Sequence, residues 1–225
     1  MHKVYVNRPD HFFFYNVKMT ADLCMFPFET VMVDEETQNS KEFKAKKGFR
    51  KFPFMETPDG QLIGESAAIA AYIARIAGNQ SFLGDSAFEE GEVDQWTAYA
   101  TSTIGPAFYV MALHTFGWKE DKPGFDNALK TMKSALQLLN THLSNRAWIV
   151  GDKITLADIV TFNALLVPFS IILDANFRDK VVPNAAAWFQ KMSKLPVVTR
   201  TAGYVKVVGA GAAQQAAGGA QGGKN

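Results

Sequence analysis

Residues Lys3–Val6 form a short β-prone run, and residues 12–24 follow with Phe13, Phe14, Val17 and Leu23 spaced for one buried helical face. Residues 28–33 are again β-branched and aromatic, which predicts a second strand. The polar run 34–47 behind it has room only for a loop and a poorly packed helix. Runs at 52–56 and 61–63 flank Thr57-Pro58-Asp59-Gly60, where proline presets φ and glycine accepts a positive one, so a β-hairpin is expected. Residues 65–77 are alanine-rich, place Ile69, Tyr72, Ile73 and Ile76 at helical spacing, and stop at Gly78-Asn79. The first part of the chain, residues 1–79, therefore reads βαβαββα.

Beyond a short linker at 80–88 the β-runs cease, and an all-α part is expected over 89–205. Val93, Trp96, Tyr99, Ala100 and Ile104 make one stripe, which Pro106 should kink or divide. Leu129, Met132, Leu136, Leu139 and Leu143 make another within 125–143. Thr155-Leu156-Ala157-Asp158 places a carboxylate three residues after a hydroxyl and announces a helix bearing Ile159, Phe162, Leu165 and Leu166. A further helix at 184–195 carries Ala187, Trp188 and Met192, and Pro196 is expected to end it. Residues 209–223 contain only glycine, alanine and glutamine before Lys224-Asn225, too poor in apolar area to offset chain entropy, so a flexible tail is expected over 206–225.

Composition narrows the function classes. Lysine and arginine number 23 against 22 acidic residues, and a net charge of +1 supplies no field to gather nucleic acid or an anionic membrane. Cys24 is the only cysteine, so an internal disulfide is impossible and a reducing compartment, the cytoplasm, is the expected location. No stretch of about 18 apolar residues occurs, and the N-terminus lacks the apolar core of a signal peptide. The one basic cluster, Lys41, Lys44, Lys46, Lys47, Arg50 and Lys51, reads as a solvated helix face offering few phosphate contacts. His2, His114 and His142 lack partners at metal-ligand spacing, and no GxxxxGK loop is present, so neither a metal nor a nucleotide is expected.

One segment carries candidate chemistry. Lys51-Phe52-Pro53-Phe54 leads into a hairpin whose far end, Gly64-Glu65-Ser66, opens a helix. A cis bond at Pro53 would present the Phe52 N–H and C=O to a peptide ligand as to an added strand. Glu65 and Ser66 would lie where helix N–H groups attract a carboxylate and the Glu65 side chain meets an ammonium. A zwitterionic γ-glutamyl group fits both, although the same residue types also serve simply as turn and cap.

Phe52-Pro53, Glu65-Ser66-Ala67-Ala68-Ile69 and Gly151-Asp152-Lys153-Ile154-Thr155-Leu156-Ala157-Asp158, in this order and spacing, resemble the glutathione transferase superfamily. Within it the chain is similar to the N-terminal domain of translation elongation factor 1 gamma, through Val4-Tyr5-Val6-Asn7-Arg8-Pro9, Val93-Asp94-Gln95-Trp96, Asn176-Phe177-Arg178, Pro183-Asn184 and Trp188-Phe189. The resemblance implies a thioredoxin-like N-terminal domain followed by an all-helical one, with Phe52, Pro53, Glu65 and Ser66 as a glutathione pocket. It makes Thr155 and Asp158 a buried helix-capping pair. Enzymes of this family activate the glutathione sulfur with a hydroxyl or thiol just after the first strand. Here that stretch is Asn7-Arg8-Pro9-Asp10-His11, with neither group, so no catalytic residue is assigned. Arg8 or His11 could act on a thiolate only through its charge.

Three functions follow from the resemblance. The first is a non-catalytic or weakly catalytic assembly domain of the elongation factor 1 complex, docking the guanine-nucleotide-exchange subunit, with a second copy of itself as a further partner and no required cofactor. The second is a transferase conjugating glutathione to electrophilic small molecules. The third is a docking appendage of an aminoacyl-tRNA synthetase assembly.

Overall fold

The computed structural model describes residues 1–205, and the expected tail at 206–225 lies outside the described residues. The chain divides into two compact units, the first ending at Gly91 and the second beginning at Glu92. The expected linker at 80–88 is partly structured, with a 3-10 turn at Gln80–Phe82 and buried Phe82 and Leu83.

The first unit holds β1 (Lys3–Val6), α1 (Phe12–Leu23), β2 (Glu29–Met32), α2 (Glu35–Asn39), α3 (Lys41–Lys47), β3 (Phe54–Glu56), β4 (Leu62–Ile63) and α4 (Ser66–Ile76). The sheet order is β2-β1-β3-β4, with β1 parallel to β2 and antiparallel to β3. Alternation along the strands divides the core. Val4, Val6 and Met55 join Phe14, Val17 and Ala21 of α1 and Ile69 and Ile73 of α4. Tyr5 and Phe54 join Val33 and Phe43 of α3.

The polar run 34–47 departs from expectation by forming two helices. Asp34 Oδ1 accepts from the Thr37 N–H at 2.7 Å, and Ser40 Oγ accepts from the Phe43 N–H at 3.1 Å. Capping thus starts two short helices where apolar periodicity is missing, and Phe43 alone is buried from them.

The second unit contains α5 (Ala87–Tyr99), whose first residues precede the boundary, α6 (Gly105–Thr115), α7 (Lys122–His142), α8 (Leu156–Val167), α9 (Pro183–Ser193) and α10 (Pro196–Ala202). Between α5 and α6 the chain makes a π-helical turn, Ala100–Ile104. Pro106 brings no N–H to close a normal turn behind it, so the break expected there takes this wider form. Every residue of α8 is buried, a central helix rather than the one-sided stripe expected. Pro196 also differs from expectation: α9 has already ended at Ser193, and Pro196 opens α10, where its missing N–H costs nothing. The N-terminus of α9 is capped from outside, because Asn140 Oδ1 on α7 accepts from the N–H groups of Asn184 at 2.7 Å and Ala185 at 3.2 Å. Among the described residues no helix is long and apolar enough to cross a membrane.

Candidate functional site

The hairpin register brings the candidate residues of the first unit together. Met55 pairs with Ile63 in an antiparallel ladder, so Pro53, just before β3, and Glu65, just after β4, lie at the same end of the hairpin. The Phe52-Pro53 bond is cis, with Pro53 buried. Glu65 is exposed and adopts φ 62°, a left-handed conformation unusual for a residue with a side chain. Ser66 follows as the first residue of α4 and is buried, its Oγ accepting from Asn16 Nδ2 of α1 at 3.0 Å. Arg50 supports the same edge, since its guanidinium donates to the Leu62 C=O at 3.1 Å and its stem lies where a Cβ on Gly64 would come within 3.0 Å.

Asn16 and Arg50 are additions to the four residues expected from sequence. Asn16 had a visible signal, an amide between Phe14 and Val17, two residues of the helix's apolar face. Buried to 2 % exposure, such a side chain requires a partner. Arg50 had no such mark, because only the fold brings Leu62 beside it.

The stretch after β1 places His11 at the N-cap of α1 and Arg8 beside Asp10, with 3.7 Å between Nε and Oδ1. Burial lowers the His11 pKa, aided by Arg8 and opposed by Asp10, a shift that favours the neutral ring. Three hydroxyl and thiol groups elsewhere in the first unit, those of Tyr5, Tyr15 and Cys24, have other surroundings. The Tyr5 hydroxyl lies on the α3 face of the sheet and donates to Glu56. Tyr15 is on α1 against Phe12, with its pKa raised by burial. Cys24 follows α1, accepts from Asn79 Nδ2 at 3.6 Å and is likewise raised by burial, the opposite of what a reactive thiolate needs.

Half of the basic cluster also makes hydrogen bonds within the unit, which the expected solvated face did not include. Lys46 donates to Glu56 at 2.8 Å and to the Tyr5 hydroxyl at 2.9 Å. Lys47 donates to the Arg50 C=O at 2.6 Å. The reason is that α3 crosses the sheet face where Tyr5 and Glu56 present acceptors. The hydrogen bond from Lys46, then that from Tyr5, lowers the Glu56 pKa. A depressed carboxylate contributes stability at neutral pH that disappears as pH falls through its folded pKa. With the Lys46 side chain 38 % exposed, solvent screening limits the contribution to about 0.5–1 kcal/mol. Glu56→Gln is expected to cost that amount at pH 7 and nothing below the folded pKa. Urea titrations at both pH values check this, and an equal loss at both would contradict it.

In the second unit, Asp158 is the third residue of α8 and is fully buried. Its Oδ2 accepts from the Thr155 N–H at 3.0 Å and the Thr155 hydroxyl at 3.1 Å. Its Oδ1 accepts from the Ile149 N–H at 3.0 Å and the Trp188 indole at 2.8 Å. Burial pushes its pKa up, and these four donors pull against that rise. The arrangement ties α8, the loop before it and α9 together, with no carboxylate oxygen left for chemistry.

Comparison with known proteins gives two family matches, the glutathione S-transferase N-terminal domain over residues 15–76 and the C-terminal domain over residues 95–196. A glutathione S-transferase-like protein of a Fusarium species is 34% identical over 164 residues, 70% of this chain and 71% of that one. The probable elongation factor 1-gamma 1 of Arabidopsis thaliana is 33% identical over 175 residues, 76% of this chain and 41% of that one. This chain therefore spans about two fifths of the Arabidopsis relative. The glutathione S-transferase-like domain of elongation factor 1-gamma from Saccharomyces cerevisiae superimposes with a TM-score of 0.77 at 17% identity, covering 92% of this chain and 95% of that one.

Proposed function

The chain belongs to the glutathione S-transferase family, and from that membership we propose that it serves as a gamma-type assembly domain of the elongation factor 1 complex rather than as a transferase. In this reading it works in the cytoplasm, docks the guanine-nucleotide-exchange subunit, and requires no cofactor. The observation that carries the reading is the 33% identity to an elongation factor 1-gamma over 76% of the chain, running through both units. The chemistry after β1 agrees with it. Residues 7–11 offer no hydroxyl or thiol, and Tyr5 is turned to Lys46 and Glu56.

The test is co-expression with the exchange subunit followed by size exclusion. A stoichiometric complex is expected, and a monodisperse chain that ignores the subunit would count against the proposal.

A second reading, glutathione conjugation, is favoured by one feature. Glu65 keeps a left-handed backbone, a conformation that costs about 1–3 kcal/mol and recurs at ligand sites. There Phe52, Pro53, Glu65 and Ser66 would hold the tripeptide, with Asn16 fixing Ser66. If the site retains glutathione without turning it over, the chain should bind glutathione-agarose, Glu65→Ala should release it, and a chloroarene substrate should react no faster than in buffer. Robust turnover abolished by Glu65→Ala would replace the assembly reading with the enzymatic one.

A further inference from the structure

The helical unit carries a cleft that uses neither the Glu65 edge nor the carboxylate of Asp158. Ala187, Trp188 and Lys191 line one wall from a single strip of α9, and Arg146 and Ala147, in the turn after α7, line the other. Its volume is about 190 Å³. That is below the roughly 300–1,000 Å³ of pockets that enclose a whole small molecule, so it suits one or two side chains.

The charges around it are unbalanced. Lys191 Nζ donates to the Ala147 C=O at 2.9 Å and lies 3.2 Å from the centre of the Trp148 ring, both uncharged partners. Among the described residues it forms no ion pair, and burial lowers its pKa while Asp158 pulls the other way. Arg146 Nη1 faces Glu92 Oε1 at 3.8 Å, a loose pair with the arginine side chain 41 % exposed. The carboxylate behind the wall, Asp158, is already saturated by four donors. Two cations thus line the cleft, and among the described residues Glu92 is the one acidic side chain in an ion pair with either of them.

We propose that this cleft docks an acidic segment of a partner protein, seating one Glu or Asp carboxylate between Arg146 and Lys191 and a neighbouring apolar side chain against Ala147 and Ala187. A planar guanidinium and an ammonium lining the same cleft match a carboxylate, and the alanines leave room for an aliphatic group beside it. Two cations would make too few phosphate contacts to hold RNA at physiological salt. The inference goes beyond the elongation-factor reading and stands whichever assembly the chain serves.

The probe is an acetylated, amidated hexapeptide of alternating glutamate and leucine, titrated into the isotope-labelled chain and followed by amide and indole chemical shifts. Saturable shifts are expected at Ala147, Ala187 and the Trp188 indole. Arg146→Gln and Lys191→Gln should each weaken binding by about fivefold to tenfold, and about 0.5 M salt should weaken it further. Arg146 is exposed, so its variant tests the site without threatening the fold. The proposal fails if the shifts do not saturate, if a glutamine-for-glutamate peptide binds equally, or if Arg146→Gln leaves affinity unchanged. Tighter binding of an oligouridylate than of the peptide would overturn it in favour of RNA.

Discussion

Replacing Asp158 with alanine is expected to lower the melting temperature of the helical unit by about 6–12 °C. The basis is the number of groups that would be stranded. Two backbone N–H groups, an indole N–H and a hydroxyl converge on its two oxygens in a fully buried place. A helix cap at the surface contributes about 1 kcal/mol. A buried donor left without an acceptor costs about 1–3 kcal/mol, and the stranded donors here are coupled, so a total near 3 kcal/mol or more is a fair figure. For a chain of this size each kcal/mol moves the midpoint by about 2–4 °C. Asp158→Asn should fall between wild type and alanine, because the amide keeps one acceptor oxygen and turns its NH2 against the other pair of donors. Thr155→Val, which removes only the hydroxyl, should cost least. Scanning calorimetry of the three variants would give that order, and an alanine variant melting within 2 °C of wild type would show that water or neighbouring groups take over the acceptor role.

The capping pair also illustrates what could be read from the chain without coordinates. Thr155 and Asp158 lie three residues apart, a local spacing whose meaning does not depend on the rest of the fold, and in the structure they form a capping box at the start of α8. The same holds for the hairpin around Thr57-Pro58-Asp59-Gly60, which puts Pro53 and Glu65 at the same end of its two strands. Features that arise from distant neighbours were not legible. Ile159, Phe162, Leu165 and Leu166 mark one face of α8, but nothing in that segment says that its other faces are covered as well. The polar run 34–47 has no periodicity, and its two helices depend on the single side chains of Asp34 and Ser40. Asn16 and Ser66 are fifty positions apart and meet only because α1 packs on α4. Arg146 and Lys191 share a cleft because Asn140 anchors the start of α9 to α7, a contact invisible in either helix alone.

Gly84→Ala should damage the first unit about as severely as the loss of Asp158 damages the second. Gly84 has φ 122°, outside the region that side chains accept without strain. Space is lacking too. A Cβ there would lie 2.5 Å from the Glu90 backbone nitrogen, 2.8 Å from the Glu89 carbonyl carbon and 2.9 Å from the Glu90 Cα. These are helix backbone atoms of α5, not the ends of flexible side chains, so the turn and the helix must separate. Strain of about 1–3 kcal/mol at the backbone joins about 1–3 kcal/mol of overpacking, and a combined cost near 3 kcal/mol is expected. Gly91 is the internal control. It lies within α5, is exposed, and a Cβ there meets nothing within 4 Å. Alanine at 91 should therefore stabilise by about 0.5–1 kcal/mol, because it improves helix propensity without a clash. The same substitution, seven positions apart, is thus expected to act with opposite sign. Urea denaturation of the two variants measures both effects, and a Gly84→Ala protein as stable as wild type would mean that the first turn of α5 can move aside at little cost.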